Sequence, residues 1–273
     1  MSSLLELLSI YKWTLPSSIA MSLALALIGS QWTAREKSTQ IFVLGQGTSL
    51  GIVLGLALNV LLDSDHHIYS LILGFSLGWV ILLLTEIFFD KKANRNHAYL
   101  TLFVLFLSLT YLVTSLVPSL ESHMASAYFG DLAVMSDLGA KACLGAAIVA
   151  VVWFLKAWKK LTLSSFQIVN QSLIHKSGSE RLFDLATLLL TALAVQSMGY
   201  LFTLGSLFIG TSFAATRSKN LQHYLGMLIL ISVVGTLSGF LVSLTSTILP
   251  TVPSVLLGQI TVGVLVLLFY RKK

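Results

Sequence analysis

Between Thr14 and Phe269 the chain returns repeatedly to apolar runs of roughly twenty residues, the length an α-helix needs to cross a hydrocarbon core about 30 Å thick. In lipid the backbone finds no water to bond, so such runs are confined to helices that satisfy their own N–H and C=O groups. Composition agrees: 10% of the 273 residues are charged and the mean hydropathy is +0.87, against about a quarter charged in soluble domains. The runs place helices near 14–32, 40–62, 68–89, 98–118, 138–158, 183–198, 199–215, 222–248 and 254–270. The expectation is an all-α polytopic membrane protein of about nine spans, one domain over residues 1–273. The least certain boundary is Met198-Gly199, where one long run reads either as two short helices or as a span followed by a broken helix. The segment "MSSLLELLSIYKWTLPSS" lacks a basic leader and is expected to be retained with the first helix.

Charge sets the orientation. The polar breaks alternate in sign, with Arg35 and Lys37 in the first, Asp63 and Asp65 in the second, and Lys91, Lys92 and Arg95 in the third. Placing every basic break in the cytoplasm leaves only Lys12 and Lys141 of the 17 Lys and Arg outside. The N-terminus is then outside and the C-terminus cytoplasmic, which requires an odd number of spans. The net charge of +6 is absorbed by this topology, so nucleic acid is not an expected partner; the lipid bilayer is.

Within the spans, ionisable groups are nearly absent, which disfavours a proton-coupled carrier built on a buried carboxylate. Glu86 and the pair Asp137/Lys141 fall at span ends, the latter at the spacing of a helical ion pair. The interior offers Gln46, Gln196, Gln259 and hydroxyls, with Gly45, Gly47, Gly51 and Gly55 spaced for close helix packing. No G-x-x-x-x-G-K-[ST] occurs, so any ATP would be bound by another subunit. The lone Cys143 reads as a small core residue.

Two polar breaks stand out. "KKLTLSSFQIVNQSLIHKSGSER", 159–181, opens with the capping box Ser164-x-x-Gln167, sets Phe166, Val169 and Leu173 on one helical face, and reaches Gly178 as a helix stop. It is expected to form a short amphipathic helix that docks in a partner's groove or lies on lipid. "LDSDHHI", 62–68, crowds Asp63, Asp65, His66 and His67 into an outer break, with His123 and Asp131 in the next outer break. Zinc takes three or four N or O ligands, so the two loops would complete a metal shell if they met in space; otherwise they are solvated turns.

In order and spacing, several strings resemble the permease subunits of bacterial ATP-binding-cassette importers for zinc and manganese. They are "LIGSQWTAREKS" (27–38), "LGIVLGLAL" (50–58), "AYFGDLAVMSDL" (127–138), "WKKLTLSSFQ" (158–167), "MGYLFTLGSLFIGTSFAATRS" (198–218) and "LPTVPSVLLG" (249–258). The resemblance implies a homodimeric permease in the bacterial cytoplasmic membrane, a dimer of separate ATPase subunits and an extracytoplasmic solute-binding protein. It implies no permanently bound cofactor and no catalysis by the chain itself, zinc or manganese being cargo. It also makes 159–181 the coupling segment, with Phe166 to His175 in the ATPase groove. One departure is clear. The Asp and His that line the family's metal path, four residues apart, fall on Phe42 and Gln46, neither a good ligand for zinc. The pathway is therefore expected around Phe42, Gln46 and Ser49. The remaining alternatives are a metal chelate or other small solute as cargo, or a membrane scaffold that has lost transport.

Overall fold

The structure, a computed structural model, describes residues 9–62, 68–88, 95–120, 128, 130, 132, 135–170, 178–246 and 249–269. Nine helices of eighteen residues or more carry the described chain: α1 Thr14–Ala34, α2 Ser38–Leu61, α3 Ile68–Phe88, α4 Arg95–Leu116, α5 Asp137–Val169, α6 Gly178–Met198, α7 Tyr200–Arg217, α8 Leu221–Thr245 and α9 Thr251–Phe269. Eight of them are long and apolar enough to cross a membrane; α7 is the exception. The protein is all-helical and multi-pass.

Local sequence sets the helix ends. The four prolines stand at helix starts or between helices, where a missing N–H costs nothing. Ser136 and Asn220 cap α5 and α8 by accepting from Gly139 N–H (3.2 Å) and His223 N–H (2.8 Å). The α1–α2 turn is a Schellman motif: Glu36, at φ 56°, sends its N–H to Thr33 O (3.0 Å) while Lys37 N–H reaches Trp32 O (3.0 Å).

The helices α1 and α2 are the most enclosed, and α4 is mostly exposed on its outer faces. Small residues bring α2 against α3: a side chain on Gly51 would run into the Leu73 carbonyl, and one on Gly55 into the Ser70 backbone. Gln259 of α9 ties four helices, its amide reaching Ser22 of α1 (2.9 Å), Thr236 of α8 (3.0 Å) and Ser206 of α7 (3.5 Å).

Three sequence expectations are corrected here. The stretch 138–158 does not end before a separate coupling helix; α5 runs 33 residues to Val169, about 50 Å of rise against a core of about 30 Å. No Gly or Pro interrupts 146–177, so the backbone has no reason to break where hydropathy falls at Lys156. Ser164 is no N-cap, because it lies inside the continuous α5, and its hydroxyl donates to the Glu180 carboxylate. Gly178, expected as a stop, instead begins α6.

Candidate functional site

The residues expected to line the pathway sit on α2 at its most enclosed stretch. Gln46 and Ser49 are fully buried, while Phe42 lies half-buried and stacked on Phe208 of α7, ring centroids 4.7 Å apart and planes 6° from parallel. Gln46 Nε2 points toward Thr110 of α4 (3.4 Å) and bonds the hydroxyl of Tyr128. Thr110 spends its own proton on Phe106 O (2.7 Å), so it can only accept, and this fixes the amide group with its NH2 toward α4. The other end of the amide, Oε1, is buried with no hydrogen-bond partner among the described residues. The hydroxyls of Thr48 and Ser49 and Oε1 of Gln40 are in the same condition, so α2 concentrates buried polar atoms whose bonding capacity is unspent. Native interiors leave few such atoms, which makes the concentration on one helix informative.

Beside this site lie Tyr128 and Gly130 of the quoted segment 127–138. Tyr128 packs edge-on against Tyr200, centroids 5.7 Å apart, and Tyr200 donates to Phe42 O (3.3 Å). Gly45 makes room for the Tyr200 ring: a Cβ there would stand 2.9 Å from Cε2. Two residues past Tyr128, Gly130 (φ 69°) abuts the backbone of Met198 and Gly199, and Gly199 (φ 91°) is the break between α6 and α7. Both glycines occupy left-handed conformations that other residues adopt at a cost. The uncertain boundary at Met198-Gly199 is therefore a real helix break, and Gly130 rests on it.

A second polar cluster closes the opposite end of α1. Arg35 is 5% exposed, with Nε bonded to Ser165 of α5 (3.0 Å), which in turn donates to Gln31 Oε1 (2.8 Å). Its guanidinium lies over the Phe183 ring of α6, 4.4 Å from the centroid. Burial pushes the Arg35 pKa down from its ordinary value, and the charges of Asp184, Glu180 and Glu86 push it back. Trp32 Nε1 adds a bond to Thr187 of α6 (3.3 Å). Charge and hydrogen bonds thus bind α1, α5 and α6 where α5 overshoots the hydrocarbon.

At that overshoot, Phe166 is 66% and Val169 41% exposed, on the last turn of α5 and not on a helix of their own. Leu173 lies outside the described residues, as do the metal candidates Asp63, Asp65, His66, His67, His123 and Asp131. Among the described residues no group of three or more His, Cys, Asp or Glu could hold a metal. The pair Asp137/Lys141 forms no ion pair among the described residues; Lys141 Nζ lies instead 5.0 Å from the Trp13 ring centroid. Gln46 was named as a pathway residue from the sequence, whereas Thr110, Tyr128, Tyr200 and Arg35, which the structure places in the two polar clusters, were not named as site residues. Tyr128 stood inside a motif already quoted, and Arg35 was read only as a loop charge.

Comparison with known proteins completes the description. A model of the family described as "ABC 3 transport family" matches residues 8–270. No curated protein matches the chain. Among solved structures, PsaBC from Streptococcus pneumoniae in complex with Fab is similar at TM-score 0.73 and 15% identity, over 94% of this chain and 90% of that one. An inward-facing ABC transporter described as metal-chelate type is similar at TM-score 0.69 and 17% identity, over 95% and 88%.

Proposed function

The chain belongs to the ABC 3 transport family, and from that premise we propose that it is the permease of a bacterial importer whose cargo is a divalent metal, zinc or manganese. The observation that carries the reading is a family match spanning nearly the whole chain, joined to a buried polar site on α2 at the position where the family's ligands are expected. In this reading two copies form the membrane pore and an outer binding protein delivers the cargo. Separate ATPase subunits hydrolyse ATP beneath the exposed end of α5, in the cytoplasm. Closure of those subunits pushes on Phe166 and Val169, and the Arg35 cluster passes the displacement to α1 and α6.

The interior site would contact its cargo through neutral oxygens: the free Gln46 carbonyl and the Ser49 and Thr48 hydroxyls. Such oxygens bind zinc weakly, so an ion crossing here keeps part of its water shell. The same neutrality favours a second reading, in which the cargo is a metal chelate whose own donors fill the coordination sphere and whose periphery hydrogen-bonds to α2. The outer residues Asp63, Asp65, His66, His67, His123 and Asp131 are proposed as a hand-off site beneath the binding protein. Replacing His66 and His67 with Ala should then weaken uptake at low metal concentration more than at saturation; equal loss at both removes that role.

The deciding experiment reconstitutes the chain with its ATPase and binding protein in liposomes and measures ATP hydrolysis and uptake. Free zinc or manganese raising both supports the ion reading. Stimulation only by a chelated metal replaces it with the second, and stimulation by neither ends the metal assignment.

A further inference from the structure

The helix α1 is enclosed along most of its length, yet one stretch of it opens outward. Between α1 and α5 lies a groove of about 460 Å³ lined by Leu15, Pro16, Ile19 and Leu23 on one side and Ile148 and Val152 on the other. Ile148 is 50% and Val152 46% exposed, so the groove is open along the flank of the protein. Its walls are hydrocarbon, and its depth below Lys141 is about 10 to 17 Å of helix rise, a span suited to an acyl chain.

The mouth of the groove is cationic. Lys141 of α5 leans across to α1, with Nζ 5.0 Å from the Trp13 ring centroid, and the neighbouring Lys12 is exposed. Asp137, one turn before Lys141, forms no ion pair with it, and neither lysine is paired with a carboxylate among the described residues. Trp and Lys together at one end of a span mark the headgroup level of a bilayer. These two lysines are also the pair that the charge topology left on the outer side.

We propose that this groove is a binding site for one anionic phospholipid of the outer leaflet, its phosphate between Lys12 and Lys141 and one acyl chain along Leu15 to Leu23. Apolar walls alone would accept any lipid; the two cations at the mouth select a negative headgroup. The bound chain would fill the flank of α1, the helix that carries Ser22 to the Gln259 junction and Arg35 to the cytoplasmic cluster.

The test uses the full transporter, permease with its ATPase subunits, in nanodiscs of phosphatidylglycerol or phosphatidylcholine with matched acyl chains. Native mass spectrometry of the extracted complex reads the retained lipid, and thermal unfolding reads its effect. The proposal expects phosphatidylglycerol to be retained preferentially and to raise the unfolding midpoint. It expects Lys12→Gln/Lys141→Gln to cut that preference roughly tenfold, and Ile148→Trp, which fills the groove, to lose the retained lipid while Lys12 and Lys141 stay in place. Equal retention of both lipids overturns the proposal, as does an unchanged preference in the double lysine variant. A photo-cross-linker at position 19 that captures a second copy of the chain, and not lipid, overturns it too.

Discussion

The two polar clusters of this protein are built on opposite terms. The Gln46 site on α2 is neutral and holds an acceptor that no described residue uses, whereas the Arg35 cluster is charged and, although Arg35 Nη2 has no hydrogen-bond partner among the described residues, joins three helices through its Nε bond to Ser165 and its stacking on Phe183. A neutral amide with a free carbonyl can be left waiting at modest cost, about 1 to 3 kcal/mol for an unmade buried bond. A buried guanidinium cannot, because an uncompensated charge in that position costs several kcal/mol. In the proposed function the difference would separate contact with cargo from transmission of force: the first must make and release bonds, the second must hold through both states.

Breaking the comparison at its stronger side should have the largest effect. Arg35→Ala removes a buried cation that bonds Ser165, covers the Phe183 ring and faces the charges of Asp184 and Glu180, and the thermal stability of the complex should fall by about 3 to 5 kcal/mol. Adding Asp184→Asn should recover part of the loss. A cost no greater than that of a surface substitution would reduce the cluster to ordinary packing.

At the neutral side, Gln46→Leu should leave the fold within about 1 to 3 kcal/mol of the parent and cut uptake roughly tenfold or more, measured as cargo accumulated per ATP hydrolysed. The double variant Phe42→Asp/Gln46→His sharpens the point by installing the two ligands the family resemblance leads one to expect. It should raise transport of free zinc relative to any chelate, and an unchanged preference would show that selection lies elsewhere. Phe166→Ala, on an exposed side chain, should change stability by less than about 0.5 kcal/mol yet sever ATP hydrolysis from uptake. Retention of coupling would favour a contact elsewhere on α5 or a scaffold without transport. Glu36→Gly is the mildest: relief of the left-handed backbone should offset loss of the Arg95 ion pair (3.8 Å), for a net shift within about 1 kcal/mol by thermal unfolding.

Much of the architecture was legible because hydropathy and helix length are nearly the same information in a bilayer. Helix ends fell within a few residues of the apolar runs at α1, α2 and α3. The exception, α5, shows the limit: its C-terminal third continues as helix and is docked on its neighbours by Ser164 and Ser165, whose partners are Glu180 of α6 and Gln31 and Arg35 at the end of α1, and no local pattern announces those bonds. The Gln46 position was suggested by a family pattern. Its partners Thr110 and Tyr128 were not, since hydroxyls are common in spans and only the fold brings these two to one amide.

The contact of Tyr128 with Gln46 has one more consequence. Tyr128 belongs to the same short segment as Gly130, whose backbone rests on the break between α6 and α7. In the proposed function, a cargo held by the Gln46 carbonyl would sit on the same amide whose Nε2 anchors Tyr128. Turning that amide to meet cargo would pull on Tyr128 and, through Gly130, on the break between α6 and α7, so one side chain would join the two.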